Sequence, residues 1–331
     1  MNRRQFLAVA AAATASPVFA QTPTKIRFGW AITPAQLLPI IFANTSILKH
    51  HGKSYTAEAY YFRGSTPQIT ALAAGELDIA ALAFSSFGLA IQNARMNDLR
   101  AVGDLYQDGV TGYYSSQYVV RADSDIRSVK DLKGKVIASN GLGGAIDMAM
   151  RKMLRDNGLE DKRDYSVIEV EFPNMGPMLQ EKKVDMAGMV APFSLTEVRA
   201  GRVRPLFTIK DSMGIAQTTL MASRTPFIAK NRAALVDFFD DVQHGTRWLL
   251  DRANRPAALA LVAQVTKQPE SVFADWLFTG DDYFHDPDAR PNLKALQENL
   301  HVQKELGFLK ADIDMAKYAD ISMVDEAAAR A

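Results

Sequence analysis

Short apolar runs alternate with longer amphipathic segments through the first part of the chain. The apolar runs are bounded by Gly, Pro and Ser, which is typical of strands, and they predict strands over 25–30, 55–62, 77–82, 101–106 and 114–121. The segments between them predict helices over 34–42, 65–75 and 85–95. Since strand and helix alternate with short connections, this half is typical of an open, largely parallel α/β sheet.

A second α/β block follows, and then a helical region. Its predicted strands cover 135–139, 165–172, 185–190, 203–209 and 218–223. Its predicted helices cover 128–132, 145–156 and 178–182, and a further one opens at residues 192–194. Beyond residue 230 the pattern is helical, over 233–252, 257–265, 270–276 and 293–306, with 280–291 as a long loop.

Composition bounds the size, charge and chemistry of the chain. Its 331 residues exceed the usual size of one domain, which predicts two lobes. The 38 Lys and Arg nearly balance the 37 Asp and Glu, so no strong field favours nucleic acid or an anionic membrane. The absence of cysteine excludes disulfides, thiolate metal sites and Cys nucleophiles.

The first twenty residues have the order of an export signal. Arg3 and Arg4 precede an apolar run, and Val18 and Ala20 fit the small-residue cleavage pattern. Residues 1–20 are therefore predicted to be removed after Ala20. The paired arginines resemble a twin-arginine signal, and the general secretory route is the alternative. Since Gln21, not a lipid-bearing Cys, follows the cleavage site, we expect a free periplasmic protein.

Two phrases carry a family resemblance. Residues 71–80 read ALAAGELDIA and residues 128–138 read SVKDLKGKVIA. Both resemble phrases of type II periplasmic solute-binding proteins, and over residues 25–223 the chain is most similar to the nitrate/sulfonate/taurine-binding branch of ABC importers. The resemblance implies an α/β fold with two lobes, two crossover strands and a helical C-terminal region. We assign 21–110 plus 214–331 to lobe 1 and 111–213 to lobe 2, with the ligand between them.

Predicted helix starts after strands are the candidate contacts for an anion. Such starts offer unpaired N–H groups and a positive dipole end, and α/β sheets bind ligands beyond the carboxyl ends of strands. Four starts qualify, at 30–33, 64–66, 84–86 and 140–145, and the family's contacts fall at matching places and at residues 192–193. The candidate ligand-binding residues are Trp30, Thr33, Arg63, Gly64, Ser65, Phe84, Ser85, Ser86, Tyr114, Asn140, Gly141, Gly143, Gly144, Pro192 and Phe193.

Several candidates have a structural interpretation as well. The serines at 65, 85 and 86 cap helices, contact ligand, or do both. Arg63 either forms a fork with a carboxylate or sulfonate or stays solvated. Trp30 and Phe84 either wall the ligand or pack in the core, and Tyr114, near the expected crossover, either lines the cleft or packs.

The expected function is capture of a small organic anion, a sulfonate or carboxylate, by hinge closure and its delivery to a membrane permease. Ala191 stands where relatives often carry an acid, which argues against an amino-sulfonate. We expect a monomer. The alternatives are a neutral pyrimidine or thiamine-precursor-like solute, presentation of a ligand to a sensor, and an enzyme on the same fold.

We find no catalytic or cofactor-binding motif in the sequence. The five histidines lack metal-ligand spacing, and the glycine turn at 141–144 lacks the nucleotide-binding patterns. The segment 281–288 is one acid–His cluster, interpreted as a solvated loop with a hard-cation site as the alternative. We therefore expect no enzyme activity, no cofactor and no metal.

Overall fold

The computed structural model describes residues 22–330, so the predicted export signal over 1–20 lies outside the described residues. Ten strands form two five-stranded sheets within this range. The strands are β1 (Thr24–Trp30), β2 (Tyr55–Tyr61), β3 (Ile79–Ala83), β4 (Leu99–Asp108), β5 (Gln117–Arg121), β6 (Lys135–Ser139), β7 (Tyr165–Glu169), β8 (Met186–Met189), β9 (Val203–Thr208) and β10 (Ala216–Arg224).

Twelve α-helices accompany the strands in the described range. They are α1 (Leu38–Ile41), α2 (Ser65–Ala73), α3 (Phe84–Gln92), α4 (Ala145–Asp156), α5 (Phe172–Gln180), α6 (Phe193–Arg199), α7 (Ile209–Met213), α8 (Thr225–Leu250), α9 (Arg255–Thr266), α10 (Leu293–Glu305), α11 (Met315–Tyr318) and α12 (Ser322–Ala328). The mixed α/β class and the helical C-terminal region are confirmed. None of the helices in residues 22–330 combines the length and apolar character needed to cross a bilayer.

Each sheet contains one strand that runs against its neighbours. The first sheet has the order β2-β1-β3-β10-β4, and the second has the order β7-β6-β8-β5-β9. β10 is antiparallel to β3 and β4, and β5 is antiparallel to β8 and β9. Four of the five strands of the first sheet, β1 to β4, therefore run in one direction, as predicted for a largely parallel sheet, and β10 arrives late in the chain and is inserted between β3 and β4 against them.

The chain passes between the sheets twice. It leaves the first sheet through residues 109–116 and returns through residues 209–215, which include α7. The strands that follow these two connections are β5 and β10, the antiparallel strand of each sheet. The predicted lobe boundaries fall inside these connections, and the division into two lobes that move stays a prediction.

The apolar core continues from one sheet to the other through α4. Ala145 and Met148 of this helix belong to the same buried cluster as Phe84 and Leu296, which lie on helices of the first sheet. Met148 is fully buried, and burying such a side chain contributes about 1.5–3 kcal/mol. The packing of α4 therefore stabilises the arrangement of both sheets.

Four predicted helices differ from the observed ones, and one of them, over 128–132, is a 3₁₀ turn at Val129–Leu132. The helix predicted over 34–42 is limited to α1, because Pro39 lacks an N–H and its ring clashes with the carbonyl four residues earlier. The helix predicted over 178–182 is the end of α5, which begins after Glu171 with Pro173 in its first turn. Over 270–276 the regular helix is a single 3₁₀ turn, Glu270–Val272.

The segment 280–291 is not the solvated loop that its acidic residues indicated. Asp282, Tyr283 and His285 are all buried. Phe284 forms an antiparallel bridge with Gln107 of β4, so the segment extends the first sheet's edge. The Asp282 carboxylate accepts the Phe278 and Tyr283 N–H groups at 3.0 and 2.7 Å, which places it in a turn of the chain.

Candidate functional site

Three of the predicted contact regions lie at one edge of the first sheet. β1 is parallel to both β2 and β3, and the register pairs Trp30 with Tyr61. The carboxyl ends of these three strands therefore meet, as they do at ligand sites of α/β sheets. The residues brought to this edge are Trp30, Thr33, Arg63, Gly64, Ser65, Phe84, Ser85 and Ser86.

The helices α2 and α3 both begin at this edge without a side-chain cap. Their N-cap residues are Gly64 and Ala83. The prediction that Ser65, Ser85 and Ser86 cap these helices is wrong, because all three lie inside the helices. An uncapped start leaves first-turn N–H groups without a side-chain acceptor, and such groups are the donors with which helix starts bind anions.

Gln68 and Ser65 hold the two helix starts together. The Ser65 Oγ accepts the Ala83 N–H at 3.1 Å, and the Gln68 Oε1 accepts the Ala81 N–H at 2.8 Å. The Gln68 amide also donates to the carbonyl of Gly64 at 3.2 Å. Gln68 was missed in the sequence, where its only signal is a polar residue on the inward face of a short helix.

Ser85 carries a buried hydroxyl with no hydrogen-bond partner among the described residues. The residue is 0% exposed, and its carbonyl accepts from the Gln303 amide at 2.8 Å. Leaving such a hydroxyl unpaired costs about 1–3 kcal/mol. The neighbouring Phe84 is equally buried and packs in the core, which matches its structural interpretation.

Two aromatic rings stand side by side at the edge. The rings of Trp30 and Tyr61 lie 4.8 Å apart at an interplanar angle of 55°. Tyr61 is 59% exposed, whereas Trp30 is half-buried against the core. Tyr61 was not among the predicted contacts, although its place at the end of a parallel strand beside β1 could have indicated it.

The segment after β1 is not a helix start. The Ala31 and Ile32 N–H groups both donate to the Oε1 atom of buried Gln36, at 2.8 and 3.3 Å. The prediction of free amides over 30–33 is therefore wrong. Arg63 is exposed and forms no ion pair within residues 22–330, so its guanidinium is available at the same edge.

The second sheet presents the glycine turn and the Pro-Phe pair at one edge of its own. β6 and β8 are adjacent and parallel, so Asn140, Gly141, Gly143 and Gly144 follow one strand while Pro192 and Phe193 follow the other. Phe193 stacks on Phe172 with ring centroids 5.9 Å apart. Pro192 is the N-cap of α6.

Most amides of the glycine turn already have acceptors. The Leu142 N–H donates to the Glu169 carboxylate at 2.9 Å, and the Gly143 N–H donates to Asp147 at 2.8 Å. The Gly144 N–H donates to the Gly141 carbonyl at 3.2 Å. Only Gly141 of this turn keeps an N–H without an acceptor in the described chain, so the turn is less open to an anion than its sequence indicated.

The acid at the start of α4 is deeply buried. Burial raises the pKa of the Asp147 carboxyl, and its hydrogen bonds with Arg151 and with the Gly143 N–H oppose that shift. Arg151 lies 2.8 Å from Asp147 and 2.7 Å from Asp161, so its charge is shared between two carboxylates. This helix start therefore carries its own negative group.

Tyr114 lies in the first connection between the sheets and contacts both α6 and the segment 280–291. Its hydroxyl forms a hydrogen bond with Ser194 of α6, and its ring meets that of Tyr283 at 5.1 Å. Tyr283 in turn shares a hydrogen bond with Ser116 at 2.9 Å. Tyr114 is buried, so its packing interpretation fits this structure.

The two groups of candidates meet where α3 and α4 start. Ala145 and Met148 of α4 share an apolar cluster with Phe84 of α3, so the starts of these two helices contribute to one buried cluster. Among residues 22–330, no three His, Asp or Glu side chains converge in the manner of a metal site. The arrangement offers N–H donors and aromatic surface, which suit a small anion with an organic body.

A family model described as NMT1/THI5 like matches residues 61–255. The chain belongs to this family. The matched range includes Tyr61, the starts of α2, α3 and α4, and both connections between the sheets.

Solved structures of periplasmic binding proteins share the fold of this NMT1/THI5-like chain. The aliphatic sulphonate binding protein SsuA from Escherichia coli has a TM-score of 0.67 and 19% identity, covering 89% of this chain and 92% of its own. The nitrate-binding protein NrtA from Synechocystis PCC 6803 has a TM-score of 0.73 and 17% identity, covering 93% and 89%. The expected periplasmic binding protein fold is confirmed.

An enzyme has the same fold. The desulfurization enzyme DSZB has a TM-score of 0.66 and 13% identity to this chain, and the similarity covers 93% of this chain and 99% of the enzyme. The fold therefore supports both binding and catalysis, and the function of the NMT1/THI5-like chain has to be argued from its own residues.

Proposed function

We propose that this NMT1/THI5-like protein is a periplasmic solute-binding protein of an ABC importer, which captures a small organic anion and delivers it to a membrane permease. The observation that carries the proposal is the pair of uncapped helix starts, α2 and α3, at one sheet edge. Their N–H groups and positive dipole ends suit a carboxylate or sulfonate. The predicted export signal and the periplasmic binding proteins that share this fold support the location.

The anionic group of the ligand binds to the first sheet under this proposal. Three turn amides of the second sheet already donate to the protein's own acceptors, whereas α2 and α3 retain theirs. The unpaired Ser85 hydroxyl and the guanidinium of Arg63 add donors at the same edge. Trp30 and Tyr61 cover the organic body, which favours an aromatic or alkyl anion over nitrate.

The two connections between the sheets are the proposed hinge for closure around the ligand. We assign residues 21–110 and 214–331 to one lobe and 111–213 to the other, with residues 109–116 and 209–215 as the hinge. A ligand that contacts both edges favours the closed state, because it binds that state with the higher affinity. The closed monomer then docks on the permease.

Thermal unfolding of the chain from Gln21 tests the binding role. The ligands are ethanesulfonate, benzenesulfonate, benzoate, nitrate and cytosine, the last as a neutral pyrimidine. A ligand that binds only the folded state stabilises it by about 2.7 kcal/mol at a hundredfold excess over Kd. We expect the organic anions to raise the melting temperature. A rise with cytosine alone would contradict the anion site and favour a neutral solute.

Two neighbouring tyrosines provide a matched pair of variants. Tyr61→Ala removes the ring beside Trp30, while Tyr60→Ala removes a ring whose hydroxyl bonds Glu58 at 2.8 Å on the opposite face of β2. We expect Tyr61→Ala to weaken binding of benzenesulfonate and Tyr60→Ala to leave it unchanged. Equal losses in both variants would mean that the aromatic pair does not cover the ligand.

A further inference from the structure

Two Asn-Gly pairs occur in the chain, Asn140-Gly141 and Asn157-Gly158, and they have opposite surroundings. In such a pair the backbone nitrogen of glycine reaches the asparagine side chain easily, because glycine has no Cβ to hinder the approach. Attack of that nitrogen on the side-chain carbonyl is the first step of spontaneous deamidation. In the structure, the reacting groups of one pair are free of hydrogen bonds, whereas those of the other pair are engaged in them.

The groups that would react are both free at Asn140. Asn140 is exposed in the turn after β6, and its side chain forms no hydrogen bond in the described chain. The Gly141 N–H likewise has no acceptor, although the next three amides of the turn do. Neither reacting group is held by a hydrogen bond in the described chain.

The same groups are engaged at Asn157. Its side-chain amide donates to the Met153 carbonyl at 2.9 Å, and the Gly158 N–H donates to the Arg155 carbonyl at 2.9 Å. These bonds close the C-terminal end of α4. Cyclisation there would require both to break, so this pair is an internal control.

We propose that Asn140 is a site of spontaneous deamidation at the candidate ligand edge of the second sheet. The Gly141 nitrogen loses its proton to solvent base and bonds to the side-chain carbonyl carbon of Asn140, while the carbon–nitrogen bond of the side-chain amide breaks. Ammonia leaves, and a succinimide ring remains. Water opens the ring at one carbonyl or the other and gives aspartate or isoaspartate. One water is consumed, one ammonia is released, and no oxidant or reductant takes part.

The product adds a negative charge to the turn that already holds Glu169 against the Leu142 N–H. Its effect on ligand affinity rests on the proposed function. A carboxylate at this edge repels an organic anion, so the modified protein binds benzenesulfonate or benzoate more weakly. The isoaspartate product also lengthens the backbone of the turn by one carbon.

Mass mapping of the whole protein tests the chemistry without any ligand. The protein is kept in mildly alkaline buffer, sampled over time and digested in heavy-oxygen water, so that deamidation during digestion carries the label. We expect unlabelled conversion at Asn140 to run several-fold faster than at Asn157. Equal rates at the two sites would overturn the proposal.

The variant Gly141→Ala tests the cyclisation step separately from any effect on ligand affinity. A Cβ at Gly141 meets no atom within 4 Å, and its backbone lies outside the left-handed region, so the variant is expected to fold. It should slow conversion of Asn140 and leave Asn157 unchanged, and an unchanged rate at Asn140 would contradict the mechanism.

Asn140→Asp, titrated with benzenesulfonate beside the wild type, tests the effect on affinity. Weaker binding by the variant supports it, whereas equal binding overturns the link to affinity and leaves the binding role intact.

Discussion

At the scale of single residues, a buried polar group without a hydrogen-bond partner can be tested for a role in binding and for a role in stability separately. Ser85 is such a group, because its buried hydroxyl has no partner within residues 22–330 while its backbone lies in the uncapped first turn of α3. Most buried polar atoms in proteins are paired, and an exception points to strain, to water or to a ligand. We therefore expect the hydroxyl to lower the stability of the ligand-free fold and, under the proposed function, to donate to the ligand.

Ser85→Ala should move stability and affinity in opposite directions. Removing the unpaired hydroxyl should raise the free energy of unfolding of the ligand-free protein, by up to about 1–3 kcal/mol. Binding of the organic anion should weaken, since one donor is lost. Urea unfolding and ligand titration check the two effects separately. A fall in unfolding free energy with unchanged affinity would make Ser85 purely structural.

Asp241 offers the contrasting case of a buried carboxylate with a purely structural role. It accepts the Lys49, His50 and His51 N–H groups at 2.6, 3.1 and 3.0 Å, and the Tyr55 hydroxyl at 2.7 Å. Asp241→Asn turns one acceptor oxygen into a donor that faces donors, which should cost about 2–4 kcal/mol of unfolding free energy. Asp156→Asn at an exposed i,i+4 pair is the control, with a change below about 0.5 kcal/mol. Similar losses in both variants would contradict this account.

Which residues could be predicted depended on whether their signal is local. Trp30, Gly64 and Ser65 were identified because they follow strands in the sequence, and the structure places them at the same edge. Tyr61 and Gln68 were missed because their importance comes from residues beside them in space, Trp30 for one and the Ala81 N–H for the other. The capping of α2 and α3 was misassigned by one to three residues, and assignments of a helix end commonly differ by one or two.

At the scale of elements, the entry of the chain into α2 depends on one backbone conformation. Gly64 has φ of +95°, in the region that favours glycine, and it is the N-cap of α2. The order of strands was not predictable in the same way. Nothing local in residues 216–224 indicates that β10 inserts between β3 and β4.

Gly64→Ala and Gly141→Ala form a matched pair that tests the backbone at the two edges. Neither new Cβ meets an atom within 4 Å, so only the backbone conformation differs. Gly64→Ala should cost about 1–2 kcal/mol of unfolding free energy, because alanine is strained at positive φ. It should also weaken anion binding by displacing the start of α2. Gly141→Ala should change stability by less than half of that, and chemical denaturation of both variants decides. Equal costs would mean that the conformation at Gly64 is not what matters.

At the scale of the whole molecule, buried acids make the stability depend on pH. Burial raises the pKa of Asp104 to about 8 and that of Asp282 to about 7, while hydrogen bonds from Gln217 and from backbone N–H groups oppose the shifts. Burial lowers the pKa of His285 to about 4. These residues lie on β4 and on the buried segment 280–291, which pairs with it.

The sign of the effect follows from which state binds more protons. A carboxyl with a raised folded pKa stays protonated in the fold while it ionises in the unfolded chain, so stability falls as pH rises to the folded value. His285 has the reverse effect, but only between about pH 4 and 6.5, its ordinary value. Above about pH 6.5 His285 no longer contributes, and stability should fall by at most about 1.4 kcal/mol per pH unit for each acid that is still protonated in the fold, Asp104 up to about pH 8 and Asp282 up to about pH 7.

Asp104→Asn should therefore reduce the slope of unfolding free energy against pH between about 6.5 and 8, whatever it does to stability at one pH. The carboxyl accepts from Gln217 at 2.5 Å and from the Asp286 N–H at 3.1 Å, so an amide at this position lowers the unfolding free energy at every pH. Comparing the slopes of the two proteins removes this constant difference. Urea unfolding at several pH values provides the slopes, and Asp156→Asn should keep that of the wild type, since it removes an exposed carboxyl. An unchanged slope in Asp104→Asn would mean that Asp104 is ionised in the fold at neutral pH, and the β4 edge would then need a positive partner that the described residues do not supply.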